Sequence, residues 1–185
     1  MRCLVLAFED LHDLPSSWKD YACIDAYGQS KISLKDKEGL PVKLTVYNQF
    51  FEVKSYYKPK KPYDLCFIRH PDPWGEPRNW MQAIAGLGEC VVGALVCEFW
   101  FPHEVKAFDF LLQSLLGTSV QFVKAKQLDN IGEWKNFQAR WEIKGLQKNM
   151  SDCYQKKKME ILQEYYNNFG KNFTDSTLKD VVKIL

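Results

Sequence analysis

Tyr63-Asp64-Leu65-Cys66-Phe67-Ile68-Arg69-His70-Pro71-Asp72-Pro73-Trp74 is the stretch on which the fold of this chain turns. Its first part is an apolar and aromatic run too short for a helix, and it stops at a proline-punctuated turn, which is the pattern of a strand running into a loop. Working outward, Trp80, Ile84 and Leu87 fall on one side of a helix expected over residues 79–89. Residues 91–99 are a continuous apolar run, as expected of a strand covered on both faces. Val105, Phe108, Leu112 and Leu115 stand at helical spacing over residues 103–116, and Gly117 ends that pattern. Residues 119–127 and 137–144 read as two strands joined by a loop rich in Asp, Asn and Gly. Residues 63–145 therefore read as the second half of an open α/β sheet.

Upstream the signals are shorter. Strands are expected over residues 2–8, 21–27 and 42–47, and a short helix over 11–20 that Pro15 limits. Ser30 as a cap, followed by helix formers and stopped at Gly39-Leu40-Pro41, suggests a helix over residues 30–38. Beyond residue 147 the texture becomes polar. Tyr154, Ile161, Tyr165 and Phe169 form one stripe of a helix over residues 152–169, and a short helix closes the chain over 174–185. The expected organisation is an α/β domain over residues 1–147 and a helical C-terminal extension over 148–185. The fold class is α/β: a Rossmann-like, mostly parallel sheet with helices on both faces and a C-terminal antiparallel hairpin.

Composition narrows the function classes. The 185 residues are 46% hydrophobic and 15% aromatic, enough for a sizeable core. A net charge of +2 argues against a strongly basic surface built for nucleic acid, while leaving room for a local patch. The six cysteines form no C-x-x-C pair, and Cys3, Cys66, Cys90 and Cys97 sit in apolar runs as small buried hydrophobes. Three scattered histidines offer no metal site. No apolar run approaches the length a membrane helix needs, and Glu9 and Asp10 interrupt the apolar start too early for a signal peptide, so the expected location is cytoplasmic, with no membrane contact.

In parallel sheets ligands bind outside the carboxyl ends of the strands. The loops that follow strands here are residues 9–12, 25–29, 48–51, 69–78 and 100–103. The loop at 69–78 holds most of the chemistry: Arg69, His70 and Asp72 beside Trp74 and three prolines. His70 titrates near neutral pH and can move a proton or donate to a ligand. The alternative is structural, with His70 and Asp72 capping the turn and Trp74 filling a gap.

On these residues the chain resembles the class I S-adenosylmethionine-dependent methyltransferases. Residues 63–71, an aromatic-Asp-Leu strand running into Arg-His-Pro, are similar to the fourth-strand signature of uncharacterised members, and the helix, strand, helix and hairpin that follow keep the same order. The likeness covers roughly residues 2–145. It implies S-adenosylmethionine as cofactor, with Asp25 at the ribose and Asn48 at the adenine, and Arg69, His70 and Asp72 as the catalytic group that positions the acceptor. One departure stands out. The family's glycine-rich turn after the first strand is absent: Glu9-Asp10-Leu11-His12-Asp13 follow instead, with no glycine before Gly28. Side chains there obstruct close backbone approach to the cofactor. A narrower likeness, Asp72-Pro73-Trp74 with Arg78, is similar to the post-strand loop of tRNA guanine-N7 methyltransferases and implies a nucleic-acid acceptor.

Two functions follow. One is methyl transfer from S-adenosylmethionine to an unknown acceptor. The other is a catalytically inactive methyltransferase-fold protein that binds a protein partner through its C-terminal helices. A nuclease or hydrolase reading has neither metal-ligand spacing nor a nucleophile motif behind it.

Overall fold

A computed structural model of the chain describes residues 61–128 and 137–170 in full, and residues 2–7, 23–24, 29–35 and 41–47 as strands. The order is β1 (Arg2–Ala7), β2 (Cys23–Ile24), β3 (Gln29–Lys35), β4 (Pro41–Tyr47), β5 (Tyr63–Arg69), α1 (Pro77–Cys90), β6 (Val91–Phe99), α2 (Pro102–Leu116), a 3₁₀ turn (Gly117–Ser119), β7 (Val120–Gln127), β8 (Phe137–Ile143) and α3 (Met150–Phe169). The strands form one open sheet in the order β2-β3-β4-β1-β5-β6-β8-β7. The fold is the expected Rossmann-like α/β class with a C-terminal antiparallel hairpin and a helical extension.

The four central strands, β4, β1, β5 and β6, are parallel. Both flanks are antiparallel: β7 and β8 on one side, β2 and β3 on the other. The second flank corrects the helix expected over residues 30–38. Gln29–Lys35 is a strand whose register with β4 runs from Gln29↔Tyr47 to Lys35↔Pro41, so the two form a hairpin. Ile32 and Leu34 alternate with Lys31, Ser33 and Lys35 at period two, and this alternation overrides the helix-forming tendency of the individual residues. The helices expected over 11–20 and 174–185 lie outside the described residues.

One face of β5, β6 and β8 carries the core. Phe137, Ala139, Trp141 and Ile143 of β8 are buried at every second position, as are Leu95, Cys97 and Phe99 of β6, with Val91 buried at its start. α1 and α2 lie on this face. Phe108 of α2 meets Trp80 of α1, Phe99 and Trp141 edge-on or tilted, with ring centroids 5.5 to 5.8 Å apart. Trp141 donates its indole N–H to Asp109 at 2.6 Å, which satisfies the one polar atom of a fully buried ring. Burial raises the Asp109 carboxyl above its ordinary range, against the lowering effect of that bond and of Gln113.

α3 forms a third layer over α1 and α2. Met150, Ile161, Leu162 and Tyr165 are buried and belong to the same core cluster. The apolar stripe read from the sequence is therefore turned inward, and Met159 and Tyr166 remain exposed. The cysteines Cys66, Cys90 and Cys97 are buried free thiols, as expected. Burial pushes the Cys90 thiol up to about 12 and the Cys97 thiol well above its ordinary range. No helix among the described residues is long and apolar enough to cross a membrane.

Candidate functional site

Strand order places the site. From β1 the chain builds the sheet to one side through β4, then returns to build it on the other side through β5. Such a reversal opens a crevice outside the carboxyl ends of the strands at which it occurs. Here those ends are neighbours in register: Leu6 pairs with Tyr47, Ala7 with Arg69, and Arg69 with Glu98. The Arg69-to-Trp74 loop therefore leaves the sheet at the switch point.

His70 is held by its backbone. It has φ +47, rare for a residue other than glycine, and its N–H donates to Glu98 O at 2.8 Å, carrying the β5–β6 ladder one step past the strand. Its ring stacks on Trp100, with centroids 3.8 Å apart and an interplanar angle of 23°, and the residue is only 8% exposed. That packing locks the turn. Asp72 is exposed, and its Oδ1 accepts the Gly75 N–H at 2.7 Å. A Cβ on Gly75 would fall 2.3 Å from Asp72 Oδ2, so a larger residue there would have to displace the Asp72 carboxylate. Pro77 then starts α1 without a donor to satisfy. Asp72 thus caps its turn, and Trp74 is 37% exposed.

The β6–α2 loop supplies the other wall. The His103 ring meets Trp74 edge-on at 5.0 Å and stacks on Phe101 at 5.4 Å and 9°. Phe101 is itself exposed, so Trp74, His103 and Phe101 make an aromatic rim with exposed faces. Burial lowers the His103 pKa, which favours the neutral imidazole. Behind the rim, Glu104 is buried and its Oε2 accepts the Phe101 N–H at 2.8 Å. Burial pushes its carboxyl up to about 7, opposed by the bonds from Phe101 and Trp100 and reinforced by the Asp72 charge. From the third layer, the Tyr165 hydroxyl donates to Pro73 O at 2.6 Å. Burial, and then the Asp72 carboxylate, raise that hydroxyl above its ordinary range.

The structure thus brings Arg69, His70 and Asp72 to one edge and adds Trp100, Phe101, His103, Glu104 and Tyr165 to it. Asp25 and Asn48 lie outside the described residues; they follow β2, the outermost strand, and β4, the neighbour of β1. Sequence reasoning named the loop after β6 but not Glu104. Its signal was present: a glutamate at the third position of a helix opened by Pro102, where it can reach back to the capping N–H. Nothing in the sequence pointed to the bond between Tyr165 and Pro73, residues 92 positions apart. Among the described residues no group of His, Cys, Asp and Glu could hold a metal ion.

No protein-family model and no curated protein matches the chain. Solved structures to which it is similar include a Thermoplasma acidophilum protein provisionally described as a methyltransferase, at 10% identity and a TM-score of 0.42, covering 77% of this chain and 58% of that one. The 16S rRNA (adenine(1408)-N(1))-methyltransferase of Catenulisporales acidiphilia is similar at 11% identity and a TM-score of 0.48, covering 78% of this chain and 85% of that one. An rRNA methylase of Streptococcus thermophilus is similar at 11% identity and a TM-score of 0.40, covering 77% and 73%. The chain thus spans little more than half the length of the first of these structures and most of the length of the other two.

Proposed function

We propose that the chain is a methyltransferase-fold protein that takes S-adenosylmethionine at the β1–β5 switch point and its acceptor at the neighbouring edge. The observation that carries this reading is the convergence of the two loops: residues 69–78 and 100–104 leave adjacent parallel strands and meet as an aromatic rim beside the crevice. In this reading Asp25 and Asn48 hold the cofactor. When bound, the cofactor supplies the electrophilic methyl group. The chain's own part is positioning: Trp74 and Phe101 bracket the acceptor, Asp72 and Arg69 orient it, and His70 fixes the turn that carries them.

Stabilisation by ligand tests the reading. A product analogue, S-adenosylhomocysteine, at a hundredfold excess over its Kd stabilises a binding protein by about 2.7 kcal/mol. In a chain of this size that raises Tm by roughly 5–10 °C. No shift with millimolar S-adenosylhomocysteine or S-adenosylmethionine would refute it. That result would favour the second reading, a non-catalytic relative that binds a protein partner. The observation behind that alternative is the run Glu9-Asp10-Leu11-His12-Asp13, acidic and without glycine, directly after β1.

A further inference from the structure

The sheet face turned away from α1 and α2 carries a feature that the switch-point site does not use. At β7–β8 a cavity of about 160 Å³ is lined by Val96, Lys124, Lys126, Gln138, Ala139 and Arg140. Lys124 stands directly across from Arg140 in the ladder, and Lys126 across from Gln138. Like charges placed opposite one another destabilise a strand pair unless something anionic lies between them. Among the described residues Arg140 pairs with Glu142 at 3.7 Å, and both side chains are nearly half exposed, so that pair is weak. Glu98 receives Gln138 at 3.3 Å on the adjoining strand.

The cations are gathered by a backbone device. Register shifts between Phe122 and Lys124, so Phe122 packs inward on Trp141 while Ala125, three residues on, pairs with the buried Ala139. Without that extra residue, Val123, the alternation that points Phe122 inward would point Lys124 and Lys126 inward too. The bulge turns both lysines to the outer face beside Arg140.

We propose that this pocket docks the phosphodiester backbone of a single nucleic-acid strand. The cations are spread along and across two strands, about 6.7 Å apart along β7 and about 4.8 Å apart between strands. That layout suits a row of phosphates better than one enclosed anion. The side chains are solvated, so a lone phosphate gains little from them, whereas a polyanion gains by releasing its condensed counterions at each contact. Val96 and the small, buried Ala139 are the apolar residues of this lining, which leaves a protein or a membrane no large hydrophobic anchor there. The proposal does not depend on whether the chain binds S-adenosylmethionine.

The test is fluorescence anisotropy of a labelled 20-nucleotide RNA of mixed sequence with the full-length protein, at several salt concentrations. The variants are Lys124→Ala/Lys126→Ala/Arg140→Ala and, as control, Lys156→Ala/Lys157→Ala/Lys158→Ala on α3. Three contacts to a single strand contribute about 2 to the slope of log K against log salt, so losing them weakens binding about 50-fold at 0.15 M. The control triple, and a Lys124→Arg/Lys126→Arg variant, should bind as the unaltered protein does. Equal losses in both alanine triples, an unchanged slope in the first, or no RNA binding by the unaltered protein would overturn the proposal. So would tight binding of inorganic phosphate or anionic vesicles through these residues without RNA binding.

Discussion

Glu104→Gln should make the protein more stable at pH 8 and change it much less at pH 5. Glu104 lies buried at the start of α2, and its carboxyl is pushed up to about 7 from an ordinary value of 4.5. Between those two values the folded chain holds a proton on Glu104 that the unfolded chain releases. Stability conferred by this group is therefore complete below about 4.5, declines as pH rises through the window and is lost above 7. The difference corresponds to about 3 kcal/mol between the protonated and ionised limits. Glutamine cannot ionise, yet its side-chain oxygen still accepts the Phe101 N–H that Glu104 Oε2 accepts now. Two neighbours also titrate. His103, lowered by burial, acts in the opposite sense below its ordinary value of 6.5, while Asp109, raised by burial, acts in the same sense as Glu104. Both remain in the variant, so the difference between the two proteins isolates Glu104 to first order. Urea unfolding of both at pH 5, 6, 7 and 8 measures it. Parallel stability curves across that range, or a variant less stable at pH 8, would refute the assignment of a neutral carboxyl to this position.

Two further substitutions probe the frame that carries the site. Tyr165→Phe removes the donor to Pro73 O and leaves a buried carbonyl unsatisfied, which should cost about 1–3 kcal/mol in urea unfolding; a neutral result would mean that the loop finds another donor. Gly93→Ala should cost more than about 2 kcal/mol, because Gly93 has φ +122 and a Cβ there would fall 2.3 Å from Asp64 O at the β5–β6 irregularity. A variant that unfolds at the same urea concentration as the unaltered protein would rule out that close approach.

The parts of the fold that were legible are those where burial and period agree. β5, β6 and α2 carry apolar residues at the spacing their geometry demands, and each was expected within a few residues of where it lies. Residues 30–38 were the failure, because Ser30 and the helix formers after it give a local signal opposite to the pairing with β4, whereas the strand expected over 42–47 is β4 itself. A two-residue period over seven positions is easily outweighed until the partner strand is known. The site was legible at the level of loops, since strand order alone directs attention to the carboxyl ends. The chemistry inside those loops was not. Glu104 has its raised pKa because α2 buries it near Asp72, and Trp74 meets His103 because two loops 30 residues apart in sequence converge. Such effects arise from packing between segments, which no local pattern encodes.

α3 links the edge of the sheet to the end of the described chain. Its Tyr165 ring packs among Phe110 and Phe169, and its hydroxyl reaches the loop that carries Asp72 and Trp74. Mean side-chain polarity along α3 is high, yet Ile161, Leu162 and Tyr165 are as buried as the residues of β6. A helix attached only by surface contacts would leave the loop's carbonyl to water. Here it is bonded to a buried hydroxyl, so α3 helps to hold the loop in place at Pro73. The Arg69-to-Trp74 loop is therefore held from two sides: by the sheet, through His70 and Glu98, and by α3, through Tyr165.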